Sequence, residues 1–163
     1  MTDEDLRIRG YLQAQASKLT PVAVIDKVRA AMAELRSAAE GVAVARFDER
    51  PAPGEWSAGE VMAHVVEAGR HFGGAIVDVL DGRPPGESAR PARDGGQRSA
   101  AEWCALLERD REALFARVAR ADPDAAPEAL IQHGMFGPLT WRETLLFMRL
   151  HDLDHAGQLR KIP

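Results

Sequence analysis

Four helix starts are spelled out in this chain, three of them in the same way. Ser57-Ala-Gly-Glu60, Ser99-Ala-Ala-Glu102 and Thr140-Trp-Arg-Glu143 each set a hydroxyl three residues ahead of a glutamate. In such a capping box the hydroxyl accepts from the backbone amide three residues on. The carboxylate reaches back to the cap amide, so two orphan donors of a helix N-terminus are satisfied together. Thr20-Pro21 marks the fourth start, with a cap residue followed by proline at the first helical position. Apolar residues recur at helical spacing behind every start. They are Ile25, Val28, Met32 and Leu35; then Val61, Val65, Ala68, Phe72, Ile76 and Leu80; then Trp103, Leu107, Leu114 and Val118; then Leu145, Met148 and Leu159. A helix with one apolar stripe must bury it against another such stripe, and four of them together predict a bundle.

The first of these helices is expected to stop near Gly41 and the second at Asp81-Gly82. A shorter helix over Glu4 to Lys18 precedes them, with Leu6, Ile8, Tyr11 and Leu12 as its apolar positions. Residues 83–98 hold three prolines, three glycines and four arginines and read as a long loop. Residues 121–127 break the pattern again, and Leu130 to Met135 reads as either a helical turn or irregular structure. No segment alternates with period two for long enough to predict a sheet. Connections near 83–98 and 121–139 are longer than a tight antiparallel turn needs, so one or both are expected to be crossovers. The expected fold is therefore all-α: one domain over residues 1–163, a four-helix bundle with long connections and a short N-terminal helix.

Bulk properties narrow the function classes. The 163 residues carry a formal net charge of −4, which is not the basic footprint of a nucleic-acid binder. No apolar run approaches the length of a membrane span, and the polar first ten residues do not resemble a signal peptide. A single cysteine, Cys104, allows no internal disulfide and suits a reducing cytoplasm. Cytoplasmic location, with neither nucleic acid nor membrane as partner, is the expectation.

Three histidines carry the chemistry. His151 and His155 are four apart on the last helix, so their rings share one face, in the same stripe as Met148 and Leu159. His64 lies on the stripe of the second helix, between Val61 and Ala68. Inward histidines can each be core residues with a hydrogen-bond partner, and a His-x-x-x-His pair can sit on a surface. Three together are costly to bury without partners, and one metal ion would satisfy them all. Three protein ligands leave positions open for water or substrate, as in catalytic metal sites. Imidazole suits zinc, nickel, copper or iron.

Other candidates are weaker. His71, seven after His64, reads as a surface residue or as a second polar group in the cavity. Glu60 completes the capping box or orients an imidazole. His133 is a turn residue or approaches the mouth of the site. Asp152 and Asp154 flank the ligands and are expected at the surface, while Gln158 is placed to donate a hydrogen bond near the site. Arg83, Arg90, Arg93 and Arg98 read as a solvated connection or, more sharply, as an anion-binding lid over the metal. Trp56, Trp103 and Trp141, all near helix starts, are assigned to packing. Cys104 reads as a small apolar residue rather than a nucleophile.

Several segments together resemble the DinB-like family, which includes the YfiT-type metal-dependent hydrolases and thiol-dependent transferases. They are Trp56-Ser57 with Glu60 and His64, His133-Gly-Met-Phe-Gly-Pro-Leu-Thr140, and His151-Asp-Leu-Asp-His155-Ala-Gly-Gln158. The likeness runs from about Thr20 to Lys161. It implies a four-helix bundle with unusual connections and a divalent metal, zinc or nickel foremost, held by His64, His151 and His155. It implies in turn an enzyme acting on a small molecule, by transfer of a low-molecular-weight thiol or by hydrolysis. The alternative is a non-catalytic metal- or ligand-binding stress-response bundle. A glutamate in a His-Glu-x-x-His arrangement is absent, which disfavours a protease of that type. A homodimer is also expected, because bundles of this kind often pair through their helices.

Overall fold

A computed structural model of the chain describes residues 1–86 and 96–163. Among these residues there are five α-helices: α1 (Asp3–Lys18), α2 (Pro21–Glu40), α3 (Ala58–Leu80), α4 (Ala100–Ala119) and α5 (Trp141–Arg160). All three capping boxes form. Ser57 Oγ accepts from Glu60 N at 3.1 Å while the Glu60 carboxylate accepts from Ser57 N at 2.9 Å. Ser99 with Glu102 and Thr140 with Glu143 repeat the pattern, and Thr20 caps α2 ahead of Pro21. A fourth box, Thr2 with Asp5, opens α1. This N-terminal helix is nearly as long as the others, and it buries Leu12 and Ala16 in the core.

Polar contacts between the helices fix their directions. Arg29 pairs with Glu112 and Arg36 with Glu108, so α2 and α4 run antiparallel. Arg142 donates to the Leu19 carbonyl and Arg160 pairs with Glu34, so α2 and α5 run parallel. Arg70 pairs with Asp110 and Arg117 with Asp81, so α3 and α4 are parallel as well. The bundle is thus up-down-down-up. Helices α3 and α4 are neighbours with the same direction, so Leu80 and Ala100 are separated by the length of the bundle. That is about 30 Å for helices of this length. The other long connection does not cross over: α4 ends where α5 begins.

The segment left open between a turn and irregular structure is a small hairpin. Strands β1 (Ile131–His133) and β2 (Gly137–Leu139) pair antiparallel, with Ile131 opposite Leu139 and His133 opposite Gly137. Gly137 has φ +70°, the left-handed conformation that closes a three-residue hairpin loop. Each strand has three residues, too few to reveal a period of two. Ile131 and His133 nevertheless point inward and Gln132 outward, as a strand demands.

The core has two parts. One, near the N-termini of α2 and α5, packs Leu12, Val24, Val28, Ile76, Phe115 and Leu145 under the hairpin. The other joins the C-terminal halves of α2 and α5 to the N-terminal halves of α3 and α4 through Leu35, Val61, Met62, Val65, Trp103 and Leu159. No helix of the described residues is long and apolar enough to cross a membrane.

Candidate metal centre

The antiparallel pair α3 and α5 brings the three histidines together. His64, two turns into α3, meets His151 with 3.1 Å between the two Nε2 atoms. His155, one turn further along α5, presents its Nε2 to His151 Nε2 at 3.2 Å. Donor atoms of all three lie within 4.8 Å of one another, and among the described residues no carboxylate or thiol joins the group. Nitrogens bound tetrahedrally at ~2.0–2.1 Å from one zinc ion would stand about 3.3 Å apart. The spacing and the donor set therefore fit a divalent cation: the group could hold one.

The protonation states fit as well. Burial, reinforced by the other two imidazoles and by Arg111, pushes His151 down to about 3. It is neutral at physiological pH, the form a metal needs. His155 Nδ1 lies 2.8 Å from Gln158 Oε1. An amide oxygen only accepts, so His155 donates from Nδ1 and keeps its Nε2 lone pair for the centre. Gln158 thus serves as an acceptor and not as the donor expected from the sequence. Trp56 tilts against His64, with ring centroids 5.0 Å apart. It is 40% exposed, so it borders the centre from the solvent side rather than packing in the core. The two other tryptophans are buried as expected.

A second feature escaped the sequence reading. Asp152 does not lie on the surface. It is fully buried and accepts two bonds from the buried Arg111 guanidinium, at 2.9 and 3.0 Å. Helix α5 carries His151 toward α3, and the 100° step to the next residue turns Asp152 toward α4. Gly69 on α3 makes room: a Cβ there would stand 3.2 Å from Arg111 Nε. The signal was present in the sequence, because Arg111 sits four after Leu107 and three before Leu114, on the apolar stripe of α4. Asp154 is exposed, as expected.

The remaining candidates fall away from the centre. His133 is buried under the hairpin, stacked on Phe72 at 4.4 Å and hydrogen-bonded to Thr144 at 3.1 Å. Phe147 links it to the three-histidine group, touching both His133 and His151. His71 lies against Phe72 and outside the group. Glu60 accepts from Arg50 besides closing its capping box. Arg83 binds the buried Asp78 at the far end of α3, about 21 Å along the helix from His64. Arg98 covers Trp103 at the start of α4. Neither forms a lid over the histidines, and Arg90 and Arg93 lie outside the described residues. Cys104 is buried, and burial raises its thiol, as an unreactive core cysteine requires.

His133 makes stability depend on pH. Burial, with a smaller push from His71, lowers it to about 4 from an ordinary value near 6.5. The unfolded chain then binds a proton that the fold does not. The stability held above pH 6.5 is lost as pH falls toward 4, by about 2–3 kcal/mol at pH 4.5. Denaturant unfolding of wild type and His133→Gln at pH 7 and pH 4.5 checks this. The variant should lose that much less between the two pH values, and equal losses would exclude His133 as the titrating group.

No curated protein matches the chain. Among solved structures, the crystal structure of TT2238, a four-helix bundle protein, aligns with a TM-score of 0.67 at 22% identity. The alignment covers 86% of this chain and 98% of that one, and it shows the shared fold. The family model described as DinB superfamily matches residues 27–159, a span that includes α3, α4, all but the last residue of α5 and all three histidines. The chain therefore belongs to the DinB superfamily.

Proposed function

We propose that residues 1–163 form one domain in which His64, His151 and His155 bind a single divalent metal, zinc or nickel. The protein is then a metal-dependent enzyme that transfers a low-molecular-weight thiol to an electrophile or hydrolyses a small substrate. The observation that carries this reading is the convergence of three imidazole nitrogens, with His151 Nε2 3.1 and 3.2 Å from the other two. A divalent ion with three protein ligands keeps a position open, where it lowers the pKa of a bound water or thiol and polarises a carbonyl.

The protein's own groups set the conditions for that chemistry. His151 is held neutral by burial. Gln158 fixes the tautomer and orientation of His155. Trp56 shields one side of His64 from bulk water while leaving the centre open beside it. A free thiol is only about 1.5 pH units from ionisation at pH 7, so thiol transfer asks less of a nearby base than hydrolysis does.

Zinc- or nickel-loaded protein incubated with thiols and electrophiles, and separately with ester and amide substrates, tests this reading. Metal-dependent turnover in one panel that disappears on chelation is the expected result. Stoichiometric metal with no turnover in either panel would favour the non-catalytic bundle. Gln158→Met removes the acceptor while keeping the side-chain length. It should weaken metal affinity by about 10–100-fold, as loss of a ligand's hydrogen-bond partner typically does. Competition with a chromophoric chelator measures it, and unchanged affinity would deny Gln158 that role.

A further inference from the structure

A cleft of about 590 Å³ lies beside the histidine centre, which lines it through His155. His155 and Gln158 form its inner end, Trp56 and Ile162 are its apolar surfaces, and Glu55 and Lys161 stand at its mouth. The volume is that of a small-molecule site.

Two local structures set this mouth. Ala52-Pro53-Gly54-Glu55 is a tight turn: Glu55 N donates to the Ala52 carbonyl at 3.1 Å, and Gly54 has φ +83°. Proline followed by a left-handed glycine is the arrangement of a type II turn. Arg50, held by Glu60, ties the loop to the start of α3. Glu55 and Trp56 are therefore delivered by an ordered turn. Lys161 caps the end of α5, one turn beyond Gln158.

Among the described residues neither Glu55 nor Lys161 makes an ion pair, although both line the same cleft. A ligand carrying both signs of charge would complete both. Its ammonium would meet Glu55 and the face of Trp56, a ring that attracts cations. Its carboxylate would meet Lys161. The rest of the molecule would then point down the cleft toward His155.

We propose that this cleft is the substrate site and that it selects a small zwitterion, a molecule with an amino-acid-type head whose reactive group reaches the histidine centre. The inference rests on the proposed metal chemistry and adds the substrate class to it. Selection comes from the two opposite charges, and the flat Trp56 surface supplies contact area.

The test uses four thiols and zinc-loaded protein of residues 1–163. L-cysteine carries both charges, cysteamine only the ammonium, 3-mercaptopropionate only the carboxylate, and 2-mercaptoethanol neither. Binding is measured by titration calorimetry and located from the Trp56 indole N–H signal, assigned with Trp56→Phe, and zinc content is measured on each sample. L-cysteine should bind about 1.5-fold to fivefold more tightly than either singly charged thiol, the range expected of exposed charge pairs. Glu55→Gln should abolish its advantage over 3-mercaptopropionate, and Lys161→Met its advantage over cysteamine. Equal affinity for all four thiols at full zinc occupancy would overturn the zwitterion inference while leaving the metal reading in place. Binding that does not move the Trp56 signal would also overturn it, because the thiol would then reach the centre by another route. Loss of zinc from the wild type would instead mark failure of the metal centre itself.

Discussion

Asp152→Ala should cost the fold about 3–5 kcal/mol, far more than an average substitution. The carboxylate is fully buried and its two oxygens accept from both terminal nitrogens of Arg111, which is itself buried. Removing it strands a guanidinium inside the bundle, and Arg111 Nε already has no hydrogen-bond partner. Arg111→Met should cost a similar amount, since it strands the carboxylate in the same place. The double variant Arg111→Met/Asp152→Leu removes both charges and should recover most of the loss, because a well-packed apolar pair can replace a buried ion pair. Urea unfolding of wild type, Arg111→Met, Asp152→Leu and the double variant forms a double-mutant cycle. Single-variant losses that simply add in the double variant would show that the two groups act independently.

His151→Ala should abolish tight metal binding. His151 Nε2 lies 3.1 and 3.2 Å from the Nε2 atoms of His64 and His155, between the other two proposed ligands. Two ligands on different helices remain in the variant, with a gap where the third stood. The affinity loss should exceed about 100-fold, the upper end of what removing an outer hydrogen-bond partner costs. A stability readout follows from linkage. At free metal about 100 times the wild-type Kd, the wild type should gain about 2.7 kcal/mol of unfolding free energy and the variant almost none. Equal metal-induced stabilisation of both proteins would place the ion somewhere else.

Much of this architecture was legible in the sequence because helix termini carry local chemistry. Ser57, Ser99 and Thr140 with their glutamates mark helix starts through bonds three residues apart, and these bonds need no tertiary information. The three histidines were legible for a related reason: the spacing of His151 and His155 places both on one face, and each apolar stripe points that face inward. What a stripe does not encode is helix direction. Nothing in residues 83–98 or 121–139 distinguishes a crossover from a return, and only contacts such as Arg70–Asp110 and Arg117–Asp81 reveal that α3 and α4 are parallel.

Asp152 was misplaced because a carboxylate is normally exposed unless it has a partner. Its partner is 41 residues away, on a helix whose position was unknown. Arg111 on an apolar stripe was the readable clue. Trp56 was assigned to packing because tryptophans at helix starts usually staple them, whereas the turn at Pro53-Gly54 holds this one at the edge of the metal group. The hairpin carried too few residues per strand for its alternation to register.

The central claim is that the three histidines form a metal site, and metal content tests it most directly. The protein is purified without a histidine tag, and bound metals are quantified by elemental mass spectrometry beside His151→Ala and His155→Ala. Near-stoichiometric zinc or nickel in the parent, lost in both variants while their helical content is kept, is the expected result. A parent that binds neither metal, even after incubation with zinc or nickel, would contradict the assignment and leave three core histidines satisfied by hydrogen bonds alone.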